Sequence, residues 1–282
     1  MLTLSSVFDQ NLYLFLEEST RNMLFNHASN NTRSISEKLG IRQSTVSVLK
    51  NGGRKREGKF HKSFLSGFHL SVLCNLSEIK LDDVQKSIRQ IRWGKTGKIM
   101  DIAFPIDIRN EKWCRIFAYL AGYSFSPRII YSCNTSHELG NILANMFNLD
   151  FNGWVEIPHV TSHIFKTAGV YDMRIPDWIK EDENFAKSYL FALFKRKCRK
   201  RGNKIVFDFV THRKDDAGNY LRDLRQTLEI SDVTTTKTQW KEGKKNVNIR
   251  FYIKDMSDKG MKRVLKRNLE KFPSIQKRGI IC

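Results

Sequence analysis

No apolar run in this chain is long enough to span a bilayer, and residues 1–15 lack the basic start and continuous apolar block of a signal peptide. An intracellular protein with no membrane partner is the expectation. Cysteine supplies no framework either: Cys74, Cys114, Cys133, Cys198 and Cys282 are odd in number, scattered and without a CxxC pair. Neither a disulfide scaffold nor a zinc knuckle follows, and thiols serving as small core residues are expected. His159 and His163 stand four apart, as on one helical face, but no third ligand is near them in sequence. No metal or other cofactor is therefore expected.

Positive charge is what the chain does have. A formal net charge of +20 and a pI near 9.8 point to a polyanionic partner. The excess is uneven: +4 over residues 1–60, +4 over 61–100, −1 over 101–180 and +13 over 181–282. Double-stranded DNA, RNA and a membrane surface all fit these totals, and composition does not separate DNA from RNA. A length of 282 residues, 40% of them hydrophobic, is enough for about two domains with real cores.

Residues 8–26, rich in Leu, Phe and Met, read as an opening helix, and 30–33 as a polar break. In TRSISEKLGIRQSTVSVLKNGGRK, residues 32–55, apolar positions fall at Ile35, Leu39, Ile41, Val46 and Leu49, with Gly40 between two helical runs. That spacing suits a helix-turn-helix, since the glycine allows the sharp turn and the apolar residues lock the two helices together. Residues 43–50 then form the recognition helix, placing Arg42, Gln43, Ser44, Thr45, Ser47 and Lys50 toward a major groove or its phosphates. Gly52 and Gly53 end it, and Arg54, Lys55, Arg56 and Lys59 follow in a hydrophilic loop suited to phosphate. Residues 64–76 and 81–91 read as two more helices. The arrangement resembles the Cro/repressor type of DNA-binding domain, which predicts an all-helical domain over 1–91, followed by a linker over 92–109.

A second pattern lies in KWCRIFAYLAGYSFSPRIIY, residues 112–131. Trp113, Ile116, Phe117 and Leu120 share one helical face, while Cys114, Ala118, Ala121 and Gly122 form a second face of small residues. FAKSYLFALFKRK, residues 185–197, repeats the design with Leu190, Ala192, Leu193 and Phe194. Leu-Ala-Gly followed by an aromatic resembles the paired helices of LAGLIDADG homing endonucleases. The stretch MRIPDWIKEDENFAKSYLFALF, residues 173–194, resembles the connector between the halves of archaeal members. The resemblance implies an α+β fold: after the helix-turn-helix domain, a pseudo-two-fold domain of αββαββα type with shortened strands, its halves at 110–175 and 176–282.

Local patterns fill in those halves. Strands are expected at 128–132 and 154–158 and helices at 136–148 and 160–168. In the second half, 204–211 alternates as a strand, 219–228 reads as a helix, 233–240 and 247–254 as a hairpin, and 259–271 as a basic closing helix. Alternation sends Val247, Ile249, Phe251 and Ile253 inward, leaving Asn248, Arg250, Tyr252 and Lys254 on the other face, with Lys237, Gln239 and Lys241 beside them. Long basic and amide side chains on one sheet face are what the LAGLIDADG family uses to follow a major groove. A solvated sheet face has the same composition.

The resemblance also implies an acid at the foot of each motif helix, holding the divalent metals that drive phosphodiester hydrolysis. Here the matching positions are Pro127 and Lys197, and the glycine that closes the motif is Arg128 or Cys198. No catalytic residue is expected. Lys197, Arg199, Lys200 and Arg201, with Lys195 and Arg196, suit a phosphate clamp. The first expectation is thus a catalytically inactive LAGLIDADG-like protein that binds specific duplex DNA, a transcription regulator in the cytoplasm at the nucleoid. Asp182 or Asp208 as substitute metal ligands would make it a nuclease instead; an RNA-binding or splicing accessory protein is the third reading.

Overall fold

The computed structural model describes residues 1–121, 130–131, 137–147, 154–155, 157–201, 204–211, 214–244, 246–256, 258–259 and 262–263. Helices mix with small antiparallel sheets, an α+β fold. Two units divide it: the described residues of Met1–Ile108, Pro127–Ile130 and Leu143–Ala168, and those of Arg109–Ser126, Tyr131–Ile142 and Gly169–Cys282.

The first unit is not all-helical. After α1 (Leu4–Val7), Leu12, Leu14 and Leu16 are buried and alternate with Tyr13 and Phe15, so the expected opening helix begins as strand β1 (Leu12–Leu16). Period two wins there over a helix-compatible composition. Four helical pieces come next: α2 (Glu18–Ala28), α3 (Thr32–Leu39) and α4 (Gln43–Lys50), then, beyond the hairpin of β2 (Gly53–Arg56) and β3 (Lys59–Lys62) and the short β4 (Leu65–Ser66), α5 (Gly67–Leu76). The expected helix over 81–91 stops early. α6 (Leu81–Val84) passes through one 3-10 turn into β5 (Ile88–Trp93), which pairs with β6 (Met100–Asp101) inside the stretch expected to be a linker. The sheet runs β4-β1-β5-β6. Leu14 sits opposite Leu65 on one side and Ile91 on the other, and Ile91 opposite Met100, all four buried.

The chain continues through α7 (Glu111–Leu120), β7 (Ile130–Tyr131), α8 (His137–Phe147) and β8 (Trp154–Val155), then α9 (His159–Thr167) joins the first unit. His163 has its Nε2 2.8 Å from the Val7 carbonyl and its ring against Trp93, while His159 is exposed. This places His163 in structure and not in a pair of ligands.

The second unit follows through α10 (Asp177–Lys180), α11 (Glu183–Lys197), β9 (Cys198–Arg201), β10 (Lys204–Thr211), α12 (Lys214–Ile230), β11 (Val233–Glu242) and β12 (Val247–Met256). α7 and α11 make the most extensive helix-to-helix contact among the described residues. The residues of both expected faces on α7 are buried from Trp113 and Cys114 through Ala118 to Ala121, as are Ala186, Leu190, Ala192 and Leu193 of α11, while Gly122 lies outside the described residues. Small residues at such a contact let helix axes approach. Burial pushes the Cys114 thiol up to about 12 and Cys74 up to about 11, so both act as small apolar residues.

The basic run expected as a helix foot is divided. Its first residues end α11 and Cys198–Arg201 form β9, paired with β10 from Phe207↔Cys198 to Lys204↔Arg201. The sheet order is β11-β12-β10-β9; β9, the first strand after α11, has 4 residues, and β11 and β12 have 10 each. α12 covers it, with Tyr220 against Phe209 at 4.6 Å and its hydroxyl 2.9 Å from that of Tyr189.

Candidate nucleic-acid interface

The first candidate surface is α4. Asn31 caps α3 by accepting from the Arg33 N–H, Gly40 turns the chain at φ +65°, and Ile35, Leu39, Val46 and Leu49 are buried between the helices. Arg42, Gln43, Ser44, Thr45 and Ser47 are exposed, as the apolar spacing predicts. Lys50 differs. It is half-buried, and its ammonium donates to Asn26 Oδ1 at 2.7 Å, so it ties α4 to α2.

Arg21, missed from sequence, sets the other end of α4. Its side chain is buried, donates to the Leu16 carbonyl and, through Nε at 3.4 Å, to the Lys50 carbonyl, and lies over the Phe15 ring. Burial lowers its pKa from the ordinary value. Gly52 makes this possible: a Cβ there would stand 2.3 Å from Arg21 Nη2, and its φ is +71°. A cation at a helix C-terminal carbonyl is also favoured by the helix dipole.

The loop expected after α4 is a β-hairpin. Glu57 and Gly58 both have positive φ, the two-residue turn whose twist suits a hairpin. Every residue from Arg54 to Lys62 is exposed, Phe60 to 53%. Register places Arg54 opposite His61 and Arg56 opposite Lys59, so one face is wholly basic, with Arg56 directly across from another cation. Lys62, on the other face, donates to Gln90 and lies over Phe15, fastening the base of the hairpin. Hydrophobic periodicity cannot reveal a hairpin with no buried face; the Glu-Gly turn between two short basic runs was the available signal.

The third surface is the outer face of the second unit's sheet. Val247, Ile249, Phe251 and Ile253 are buried, and Lys237, Gln239 and Lys241 lie opposite Tyr252, Arg250 and Asn248, on one face as expected. Lys237, Lys241 and Lys254 are exposed, Asn248, Arg250 and Tyr252 half-buried. Tyr252 Oη donates to Gln239 Oε1 at 3.0 Å, and Arg250 pairs with Asp208 of β10 through both carboxylate oxygens.

Asp182 and Asp208, the substitute ligands considered, are spent elsewhere. Asp182 caps α11 by accepting from the Phe185 N–H at 2.9 Å, about 22 Å from the foot of that helix at its usual rise. A carboxylate that sequence reasoning missed, Glu138 on α8, touches the last turns of both motif helices. It accepts from Lys195, from Tyr119 at 2.9 Å and from Arg115 at 3.0 Å. Burial works to raise its pKa, but the bonds and charges of Lys195, Tyr119 and Arg115 outweigh it and hold the group below its ordinary value. Among the described residues no group of three His, Cys, Asp or Glu gathers to hold a metal. Pro127 lies outside the described residues, as do the side chains of Lys197, Arg199, Lys200 and Arg201.

A buried knot of charge holds the second unit's connector. Asp223 on α12 accepts from the Ile175 N–H, from Arg174 at 2.9 Å and from Lys180 at 3.0 Å, and Lys180 also reaches Asp177 at 2.8 Å. Burial pulls the Lys180 pKa down, but these two carboxylates raise it on balance. The role is structural: it fixes the turn that leads into α11.

No family model matches the chain, and no curated protein or solved structure matches it. Among the described residues, no helix is long and apolar enough to cross a membrane.

Proposed function

We propose that this protein binds double-stranded DNA sequence-specifically and acts as a transcription regulator, as a catalytically inactive relative of the LAGLIDADG nucleases with a helix-turn-helix unit. The observation that carries the reading is α4: a helix anchored by Val46 and Leu49 that leaves Arg42, Gln43, Ser44, Thr45 and Ser47 uncovered, followed at once by an exposed basic hairpin. Short polar side chains that donate and accept suit base edges, and the hairpin cations suit phosphates. The packed pair α7 and α11, and the order α11-β9-β10-α12-β11-β12, support the family likeness. Inactivity rests on Pro127 and Lys197 at the motif positions and on the engagement of Asp182, Asp208 and Glu138 with other partners.

Two measurements test this. Labelled duplex titrated with the full chain should bind with affinity that falls steeply with salt. Absence of duplex binding at low salt, or tighter binding to single-stranded RNA, would reject the DNA reading. Duplex incubated with the protein and excess magnesium or manganese should stay intact; cleavage abolished by Asp208→Asn would replace a regulator with a nuclease.

A further inference from the structure

The outer sheet face carries an acid where phosphate attraction alone would exclude one. Asp208 and Arg250 are direct neighbours across β10 and β12, with side chains only 11% and 23% exposed. Arg250 Nε donates to Asp208 Oδ1 and Nη2 donates to Oδ2 at 3.3 Å. A carboxylate here cancels the charge a phosphate would seek, so the pair makes a poor backbone clamp. It does fix the plane of the guanidinium. With Nε and one hydrogen of Nη2 engaged, the donors left are those of Nη1 and the second hydrogen of Nη2, an end-on fork of two parallel N–H groups.

The neighbour on the other side adds to it. Gln239 lies directly opposite Arg250, and its Oε1 accepts the Tyr252 hydroxyl, leaving its amide hydrogens for a ligand. The pairing of the two strands is interrupted twice, once at Lys254 and once at Thr236, and the two shifts cancel, so Gln239 faces Arg250 in the register that Val233 and Met256 begin. Fork and amide sit on adjacent Cβ atoms about 5 Å apart. Arg250 and Gln239 thus both have N–H donors to give.

Resting on the duplex-DNA reading, we propose that Arg250 reads a guanine in the major groove through this fork, with Asp208 as its positioning residue. Guanine alone presents two adjacent acceptors there, N7 and O6; adenine sets a donor beside its acceptor, thymine a methyl group, and cytosine a donor. The major groove of an A-form RNA helix is too deep and narrow to be read this way.

The test is selection from short random-sequence duplexes by the full chain, comparing wild type, Arg250→Lys and Asp208→Asn. The wild type should enrich a site with an invariant guanine. Arg250→Lys, which keeps the charge and loses the fork, should cut the preference for that guanine by about 5- to 150-fold and leave the other positions unchanged. Asp208→Asn should weaken the same preference while strengthening binding to unselected duplex, because it removes a negative charge from the face; a purely structural residue would not separate the two. Equal preference in Arg250→Lys and wild type, or a loss spread over every position, overturns the proposal. Salt-dependent duplex binding with no enriched guanine overturns it and leaves the DNA reading standing, whereas no duplex binding at all removes both. Should Asp208→Asn fail to fold, Arg250→Lys still decides the matter, since it leaves Asp208 a cationic partner.

Discussion

Replacing Arg54, Arg56 and Lys59 together by Gln isolates the contribution of the hairpin. Register places all three on one face, beside His61, and all are exposed. If each meets one phosphate, the slope of log affinity against log salt becomes shallower by about 2.7, from about 0.9 per contact on duplex DNA. Between 50 and 200 mM salt the wild type then loses about 40-fold more affinity than the variant. The Arg56–Glu57 pair, 3.6 Å apart and open to water on both sides, contributes little to oppose this. Stability should not fall. Removing the like-charge pairing of Arg56 and Lys59 relieves a cross-strand repulsion, so the urea midpoint should stay level or rise slightly. Fluorescence anisotropy on a labelled duplex at several salt concentrations measures the slope, and urea denaturation controls for folding. A slope changed by less than about 1 would mean that the hairpin does not touch the backbone, and the reasoning from its exposed basic face would be wrong.

Gln43→Ala or Thr45→Ala should each weaken binding to a selected site by about 1–3 kcal/mol and leave unselected duplex nearly unaffected; equal losses on both would remove α4 from base reading. Gly52→Ala should destabilise the first unit by about 2 kcal/mol or more, read as a lower urea midpoint, because a left-handed residue gains a Cβ at the Arg21 guanidinium; a loss below about 0.5 kcal/mol would show that Arg21 moves aside freely. Asp223→Ala should cost about 3–5 kcal/mol, since it strips the buried Lys180 of one carboxylate and the Ile175 N–H of its acceptor. Adding Lys180→Met should recover part of that loss, and no recovery would argue against a charge-pair origin. Glu138 has a folded-state pKa below its ordinary 4.5, so it contributes stability above that pH and loses it as pH falls through the folded value. The stability gap between wild type and Glu138→Gln should therefore be full at pH 6 and close below pH 4.5; a gap independent of pH would contradict the ion-pair account.

Sequence alone determined the parts with a strong period. Ile35, Leu39, Val46 and Leu49 fixed which side of α3 and α4 is buried, Trp113 through Ala121 fixed a helix buried on both of its faces, and alternation in 247–254 fixed the inward side of β12. In each, apolar spacing answers to one local geometry, so neighbours along the chain suffice. Tertiary structure decided what no local period encodes. β1 stands between the two cases: Leu12, Leu14 and Leu16 alternate, but over only five residues in a helix-like composition, and pairing with β4 and β5 on both sides decides for the strand. The hairpin of β2 and β3, exposed on both faces, leaves no apolar trace to read. Arg21, Glu138 and Asp223 look like ordinary surface charges in the sequence, and only the fold brings them to Lys50, Lys195 and Lys180. The register of β11 on β12 is such a decision too: the pairing is interrupted at Lys254 and again at Thr236, and the two shifts cancel, so that Gln239 stands across from Arg250, a match that depends on the pairing of two strands and not on either one alone.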